Sequence, residues 1–361
     1  GPLTGGATTS QANGFFGAYL KFSGFDGIVL YGAASDWIYL YIHDGQVEIR
    51  DARHLQGMDT YQTEDAIKQE LEQSPRAISI HCIGPAGENL VKFAAICGDR
   101  GHIAGHNGTG AVMGSKKLKA IAVARKGSIS VKDKKRLKAI AGEMLEEVKI
   151  NGYMGIDVYN WGMLTPTYHN AKTNALPVRN LLTNVWGIEP EKLNKFSAEY
   201  IRSNFAVERK PCWACQMNHC FTMKITEGQY AGETVEEPEA ECFAAMGSII
   251  DNHDAAGMIV LSNDVDRLGM EINEAGWLMG LVMECYEKGV LTKEQTDGLE
   301  MTWGNVEAVR IMLIKIANRE GFGNVLAEGV MRAAELIGGD APLFAVHGGK
   351  GNAPRGHDHR I

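Results

Sequence analysis

Three thiols crowd into the stretch Lys210-Pro-Cys-Trp-Ala-Cys-Gln-Met-Asn-His-Cys220, closer together than packing alone calls for. The C-x2-C pair Cys212 and Cys215 lets two thiolates of one tight turn reach the same metal, and Cys220 adds a third soft ligand. A [4Fe–4S] cluster on these residues needs a fourth ligand from elsewhere. Zinc, with His219 as a nitrogen ligand, is the second chemistry open to this spacing, and a loop of inert buried thiols is the third. The chain holds seven cysteines, at 82, 97, 212, 215, 220, 242 and 285, an odd number without a regular framework. That usage points to metal binding in a reducing compartment, so a cytoplasmic protein is expected.

The remaining sequence must build the scaffold that holds these thiols. With 361 residues, 45% of them hydrophobic, the chain can bury a sizeable core, and usual domain sizes favour two or three domains. No apolar run approaches the roughly 18–20 residues needed to cross a bilayer, and the start of the chain lacks the basic and apolar regions of a signal peptide. A formal charge of −8 argues against a nucleic-acid partner held by phosphate neutralisation. Lys116, Lys117 and Lys119 form only a local basic patch.

Residues 1 to about 126 read as β-rich, with strands expected at Gly27-Ile-Val-Leu-Tyr31, Trp37-Ile-Tyr-Leu-Tyr-Ile42 and Ala120-Ile-Ala-Val-Ala124, and a hairpin at Asp44-Gly45. The period changes at Ser130, which is expected to cap a helix whose Leu137, Ile140, Met144, Leu145 and Val148 form one apolar face. Further helices are expected at about 193–204, 239–250, 274–288, 304–319 and 324–337. The fold class is therefore α+β. A β-rich region, 1–127, precedes a helical region, 128–345, and 346–361 reads as the start of a third domain. Glycines at 105, 108, 110 and 114 allow backbone amides to cradle an anion with Lys116 as a compensating charge; tight turns are the competing reading.

Several motifs in order carry a family resemblance: Gly1-Pro-Leu-Thr-Gly5, Leu20-Lys-Phe-Ser-Gly-Phe-Asp26, Gly84-Pro-Ala-Gly-Glu-Asn89, Gly110-Ala-Val-Met-Gly-Ser-Lys-Lys-Leu-Lys-Ala-Ile-Ala-Val123, the cysteine run, Pro238-Glu-Ala-Glu241 and Asp266-Arg-Leu-Gly-Met-Glu271. Together they resemble the aldehyde ferredoxin oxidoreductase family, tungsten enzymes with two pterin dithiolenes and a [4Fe–4S] cluster. Within it, Gly105-His-Asn-Gly-Thr-Gly110 and Cys242 are similar to the catalytic subunit of class II benzoyl-CoA reductases.

The resemblance implies roles. Cys212, Cys215 and Cys220 would hold the cluster, although the family usually spaces the second and third one residue closer. The family's fourth cluster cysteine belongs to a later D-x-x-G-L-C motif, and its N-terminal pterin contacts precede this sequence, so the chain reads as a fragment. Asp266, Gly269, Met270 and Glu271 correspond to a pterin-binding motif. Asn13 and Gly14, the loop Asn107, Gly108, Thr109, Gly110 and Ala111, and Lys116 would face the cofactor, with magnesium between the pterin phosphates. Glu241 aligns with the active-site acid, His347 resembles an active-site histidine and His169 is a further pocket candidate. Cys242 is either a tungsten ligand or a packed thiol.

The leading expectation is reduction of the benzoyl-CoA ring with electrons from ferredoxin or an iron–sulfur subunit. The alternatives are oxidation of an aldehyde to a carboxylate with ferredoxin as acceptor, and a noncatalytic cluster-binding electron-transfer subunit. The substrate is a small molecule, an aromatic acyl-CoA or an aldehyde, and an oligomer is expected.

Overall fold

A computed structural model describes residues 1–150 and 153–355. Six strands, β1 (Ile38–His43), β2 (Gln46–Asp51), β3 (Ile78–Cys82), β4 (Ile96–Gly98), β5 (His102–Ala104) and β6 (Leu118–Ala124), form one sheet in the order β2-β1-β6-β3-β4-β5. Strands β1 and β6 run parallel, and the other neighbours are antiparallel. The β1–β2 turn is Asp44-Gly45, with φ of 49° and 72°, the left-handed pair that a two-residue hairpin of primed type requires.

Period-two alternation gives the central strands two buried faces. Tyr39, Tyr41, Ile78, Ile80, Ala120 and Ala122 meet Leu55 and Ile67 on one side, the latter from the helix Thr60–Glu70. On the other side, Ile42 and Val123 pack on Tyr19 and Leu20 of the helix Phe16–Phe22, and Leu40 and Leu118 pack with Met113 of the helix Thr109–Ser115. The second half is helical, and its apolar cluster also takes in Leu3, Val91, Phe93, Ala94 and Ala111 from the first. The α+β expectation therefore holds. Of the segment 346–361, residues 356–361 lie outside the described residues.

Several local expectations are corrected. Gly27–Tyr31 is an unpaired loop with Val29 and Tyr31 exposed, because β-branched residues make a strand only where a partner supplies hydrogen bonds. The helix expected from Ser130 spans Lys134–Ile150; Asp133 caps it, accepting from Arg136 N–H at 2.9 Å, and none of its residues is buried. The helix expected at 324–337 breaks into Gly323–Leu326 and Val330–Ile337 at Gly329, whose φ of 88° is a conformation that glycine adopts readily and a helix interior excludes. The helix Ala255–Leu268 was not foreseen. Its residues from Ala255 to Asn263 are all buried, which erases the one-sided stripe that periodicity detects. Also unforeseen is a second antiparallel sheet, β7 (Ala206–Lys210), β8 (Cys220–Lys224) and β9 (Thr234–Glu236), whose first turn carries the three cysteines.

The glycine-dense loop is explained mainly by packing. A Cβ at Gly108, Gly110 or Gly114 would lie 2.0 Å from Lys92 O, 2.3 Å from Ala95 O or 1.9 Å from Gly87 O. Backbone sits on backbone here, and that contact seats the helix Thr109–Ser115 against the sheet. Gly114→Ala should therefore lower unfolding stability by about 1–3 kcal/mol through overpacking, although alanine is the better helix former by about 1 kcal/mol. Urea denaturation checks the sign; an unchanged midpoint would contradict the close approach.

Candidate functional site

Trp213 seats the cysteine turn. Its N–H donates to Gly14 O at 3.1 Å, its indole meets Phe22 and Tyr19 edge-on with centroids 5.0 and 6.1 Å apart, and the Arg125 guanidinium lies 5.2 Å over its ring. Lys210 pairs with Cys220 across β7 and β8 and closes the turn. Within it, Cys215 N–H donates to Cys212 O at 3.3 Å, Cys212 Sγ lies 3.8 Å from His102 Nε2, and Cys220 Sγ lies 3.8 Å from Glu239 Oε1. All seven cysteines are free thiols, and the three in the turn are half-buried. Burial, first, pushes the Cys212 and Cys220 thiols up; nearby negative groups add, Cys215 for Cys212 and Glu239 for both. A bound metal reverses that balance by holding the thiolate. His219, Cys220 and Glu239 also bring one donor atom each within 4.8 Å of one another, a set suited to a divalent ion.

His102 and His219 line a cavity of about 640 Å³ as well as flanking the turn. Its walls come from Thr9–Asn13, the β4–β5 hairpin, the segment Glu236–Cys242, the end of the helix Ala255–Leu268 and residues 270–273. The lining is strongly acidic. Asp266, in the last turn of that helix, has its carboxyl pushed up to about 7 by burial and then by Glu236, against the pull of Lys210. Its backbone carbonyl accepts from Thr60 Oγ1 at 3.0 Å and Cys97 Sγ at 3.3 Å, but its carboxylate has no hydrogen-bond partner among the described residues. Glu239 reaches about 7 through desolvation and then Glu241 and Glu237. Its side chain is 48% exposed, to the water of a recess that protein surrounds, so the upward direction is sound and screening moderates its size. Glu241 also lines the cavity, and Arg355 Nη1 donates to its Oε1 at 3.4 Å. Cys242 follows on the wall, with its thiol pushed well up by burial.

The expected site residues divide. Asp266, Met270, Glu271, Asn13, Glu241 and Cys242 share the cavity, with the cysteine turn adjoining it. Gly14, φ 93°, carries the carbonyl that anchors Trp213. Gly269, φ 75°, ends the helix and abuts Gly84, so its missing side chain serves packing. Glu271 caps the helix Ile272–Glu287, accepting from Asn273 N–H at 3.1 Å and Glu274 N–H at 2.6 Å. Asn107, φ 68°, lines a smaller recess of about 340 Å³ shared with Glu271 and Arg355.

Others are not brought to the cavity. Lys116 Nζ donates to Gly32 O at 2.8 Å on the surface, Thr109 Oγ1 donates to Ala104 O at 3.1 Å, and Gly108, Gly110 and Ala111 face protein. His169 lies exposed on the helix Leu164–Lys172. His347 Nδ1 accepts from Gly349 N–H at 3.1 Å within its own turn. Sequence reasoning missed His102, His106, Glu236, Asn263 and Arg355, which reach the cavity from separate parts of the chain. Glu239 was in view inside the Pro238-Glu-Ala-Glu241 motif, without a signal that it, too, faces the cavity.

The fold and site define a class: an α+β protein in which a cysteine turn adjoins a deep acidic cavity. The sequence matches the family models "Aldehyde ferredoxin oxidoreductase, N-terminal domain" over residues 1–125 and "Aldehyde ferredoxin oxidoreductase, domains 2 & 3" over residues 140–361. It is 38% identical over 338 residues to the tungsten-containing aldehyde ferredoxin oxidoreductase of Pyrococcus furiosus, covering 93% of this chain and 54% of that protein. It is 33% identical over 367 residues to the aliphatic sulfonate oxidoreductase, WOR-like subunit, of the same organism, covering 96% and 57%. The fold superposes with a TM-score of 0.81 and 28% identity on a solved structure described as the active site complex BamBC of benzoyl coenzyme A reductase in complex with 1,5-dienoyl-CoA, covering 95% of this chain and 52% of that one. The chain belongs to the aldehyde ferredoxin oxidoreductase family. It spans about half the length of the curated relatives it matches.

The raised Asp266 carboxyl sets a pH dependence. Its folded-state value, about 7, lies above the ordinary 3.8, so between those values the folded chain binds more protons than the unfolded one. The stability from the neutral carboxyl is full below about pH 4 and is lost as pH rises towards 7. Asp266→Asn should flatten that decline in the cofactor-free protein, read as the midpoint of urea unfolding from pH 4 to 8. An identical slope in both proteins would show that Asp266 is not desolvated.

Proposed function

We propose that this chain carries the pterin-facing and cluster-facing walls of a tungstopterin iron–sulfur oxidoreductase, and that its reaction is low-potential reduction of the ring of an aromatic acyl-CoA. One observation carries the oxidoreductase reading: a three-thiol turn adjoins, through His102 and His219, a cavity whose wall carries the half-buried carboxylate of Asp266, without a hydrogen-bond partner among the described residues. The residues fit the group. A pterin edge is rich in N–H donors, and the cavity wall is rich in acceptors, Asp266 foremost, with Asn263 Oδ1 already accepting from Tyr61 OH at 3.1 Å. The half-buried soft thiols of Cys212, Cys215 and Cys220 fit a cluster. Magnesium would find oxygens in the Gln11-Ala-Asn-Gly14 turn, next to the Asn107 side chain that donates to Thr9 O at 3.5 Å.

When bound, tungstopterin supplies the two-electron chemistry, and the cluster relays single electrons from ferredoxin or an iron–sulfur subunit. The protein's part is positioning and proton handling. Asp266 orients the pterin, Cys242 presents a soft atom at the cavity wall, and Glu239 holds a proton where a reduced ring takes it up, with Glu241 beside it on the same wall. Likeness over 95% of the chain to a benzoyl-CoA reductase complex supports the acyl-CoA substrate. Aldehyde oxidation is the second reading, favoured by the higher identity, 38%, to an aldehyde ferredoxin oxidoreductase.

Anaerobically purified full-length protein should contain tungsten, iron and sulfide, and should consume benzoyl-CoA with a low-potential donor. Consumption of aromatic aldehydes with an electron acceptor, and no turnover of benzoyl-CoA, would transfer the assignment to the second reading. Iron and sulfide without tungsten or molybdenum would remove both and leave an electron-transfer subunit. Cys242→Ser should remove one sulfur from the tungsten coordination shell seen by X-ray absorption; an unchanged shell would make Cys242 a packing residue.

A further inference from the structure

Lys210 stands two residues before Cys212 and directly opposite Cys220 in the β7–β8 pair. Opposite residues of an antiparallel pair share a face, with Cβ atoms about 4.5–5.5 Å apart, so the Lys210 side chain and the Cys220 thiol project on one side of this small sheet. Glu236 is on that side too. It sits on β9 opposite Thr222, and period two keeps positions 220 and 222 of β8 on one face. The Lys210 side chain reaches across β8 to it, bringing Nζ to 2.8 Å from Glu236 Oε2.

Both side chains are largely enclosed, 17% and 12% exposed. The ammonium lies out of line for a hydrogen bond with that carboxylate, and its N–H groups have no acceptor among the described residues. A buried cation with unused donors is unfavourable on its own account and calls for a reason. The groups on which its charge pulls are the thiols of Cys212 and Cys220 on one side and the Asp266 carboxyl on the other. One fixed positive charge therefore stands between the cysteine turn and the cavity.

We infer that Lys210 is a positioning residue for electron transfer: its ammonium raises the reduction potential of the iron–sulfur cluster on Cys212, Cys215 and Cys220, and Glu236 tempers that effect. The inference rests on the cluster reading given above. Reducing a thiolate-bound cluster adds one negative charge beside the turn. A nearby cation with free N–H donors favours that added charge, so the potential is higher with Lys210 than without it. The Glu236 carboxylate lies against the ammonium and subtracts from its field. Enclosure keeps salt from screening the pair as it would two surface side chains. Lys210 and Glu236 thus act with opposite sign on a single potential, whereas a mere tie between β7 and β9 acts with none.

Redox titration of the anaerobically purified full-length protein, followed by the electron paramagnetic resonance of the reduced cluster, tests this. Lys210→Met should lower the midpoint, so that at the wild-type midpoint the reduced-to-oxidised ratio falls about tenfold, which is about 59 mV for a one-electron couple. Glu236→Gln should move the midpoint upward, and Lys210→Arg, which keeps the charge, should leave it near the wild-type value. Iron and sulfide analysis verifies that each variant carries its cluster. If Lys210→Met assembles none, the other two variants decide: a raised midpoint in Glu236→Gln beside an unmoved one in Lys210→Arg supports the inference, and an unmoved midpoint in Glu236→Gln overturns it. Midpoints that stay put in both charge-removing variants, or shift the same way in both, overturn it and leave Lys210 a strut of the sheet. Wild-type full-length protein without iron and sulfide would overturn the cluster reading and this inference with it.

Discussion

One buried ion pair ties together the parts on which the site depends. Arg202, in the helix Ala198–Phe205, grips Glu237 with Nε at 2.7 Å and Nη2 at 3.0 Å, and both side chains are 5% exposed. The guanidinium also donates to the carbonyls of Asn160 and His219 and lies 4.6 Å over the Phe221 ring. A planar fork with five donors is what allows one residue to reach four groups, and lysine could not replace it. Glu237 heads the acidic segment that forms the cavity wall, and His219 closes the cysteine turn, so the pair fixes turn against wall. Its desolvation cost is large, and removing one partner of such a pair typically costs about 3–5 kcal/mol. The fold bears that cost where a small error in position would separate the cysteine turn from the cavity wall.

The cavity itself is electrostatically unfinished. Burial pushes up the carboxyls of Glu236, Asp266 and Glu239, and each feels further carboxylates nearby. Lys210, 2.8 Å from Glu236, and Arg355 are the main cations set against them. A fold selected for stability alone would not gather so many acceptors around a recess without matching donors. A ligand rich in N–H groups would resolve the conflict, and the filled form would then be more stable at neutral pH than the apo form. Glu274 shows the contrast: its carboxyl is pushed up to about 8 by burial and then Glu271, yet both oxygens are used, accepting from Val330 N–H at 2.7 Å and Ala353 N–H at 2.8 Å. That contact, with Trp277 Nε1 donating to Pro354 O at 2.8 Å, delivers Arg355 to the cavity.

Sequence showed those parts of the site that are local. The cysteine turn, the Pro238-Glu-Ala-Glu241 segment and Asp266 could be read because each packs its chemistry into a few consecutive residues. His102 and Arg355 could not, since nothing in their neighbours announces that the chain will fold them to the same cavity. Strand positions followed where alternation and hairpin signals agreed, as at Ile38–His43 and Asp44-Gly45, and failed at Gly27–Tyr31, where propensity had no partner strand. The glycine run misled for a physical reason. Glycine marks close approach without saying to what, and at 108, 110 and 114 the approach is to the protein's own carbonyls.

The paired glutamates show how structure refines a motif. Residues 239 and 241 look equivalent in sequence, and family likeness selects Glu241. In the fold they differ in what they touch. Glu241 is held by Arg355, which fixes its position at the cavity wall. Glu239 lies between the thiol of Cys220 and the cavity, 3.9 Å from His219 Nε2, with a carboxyl that exchanges its proton near neutral pH. A carboxyl placed between a thiol and an acidic recess feels the charge of both, so added negative charge at the cysteine turn would favour the protonated acid by Coulomb repulsion alone. The proton on Glu239 is thus tied to the charge of the cysteine turn, with Glu241 set at the cavity wall beside it.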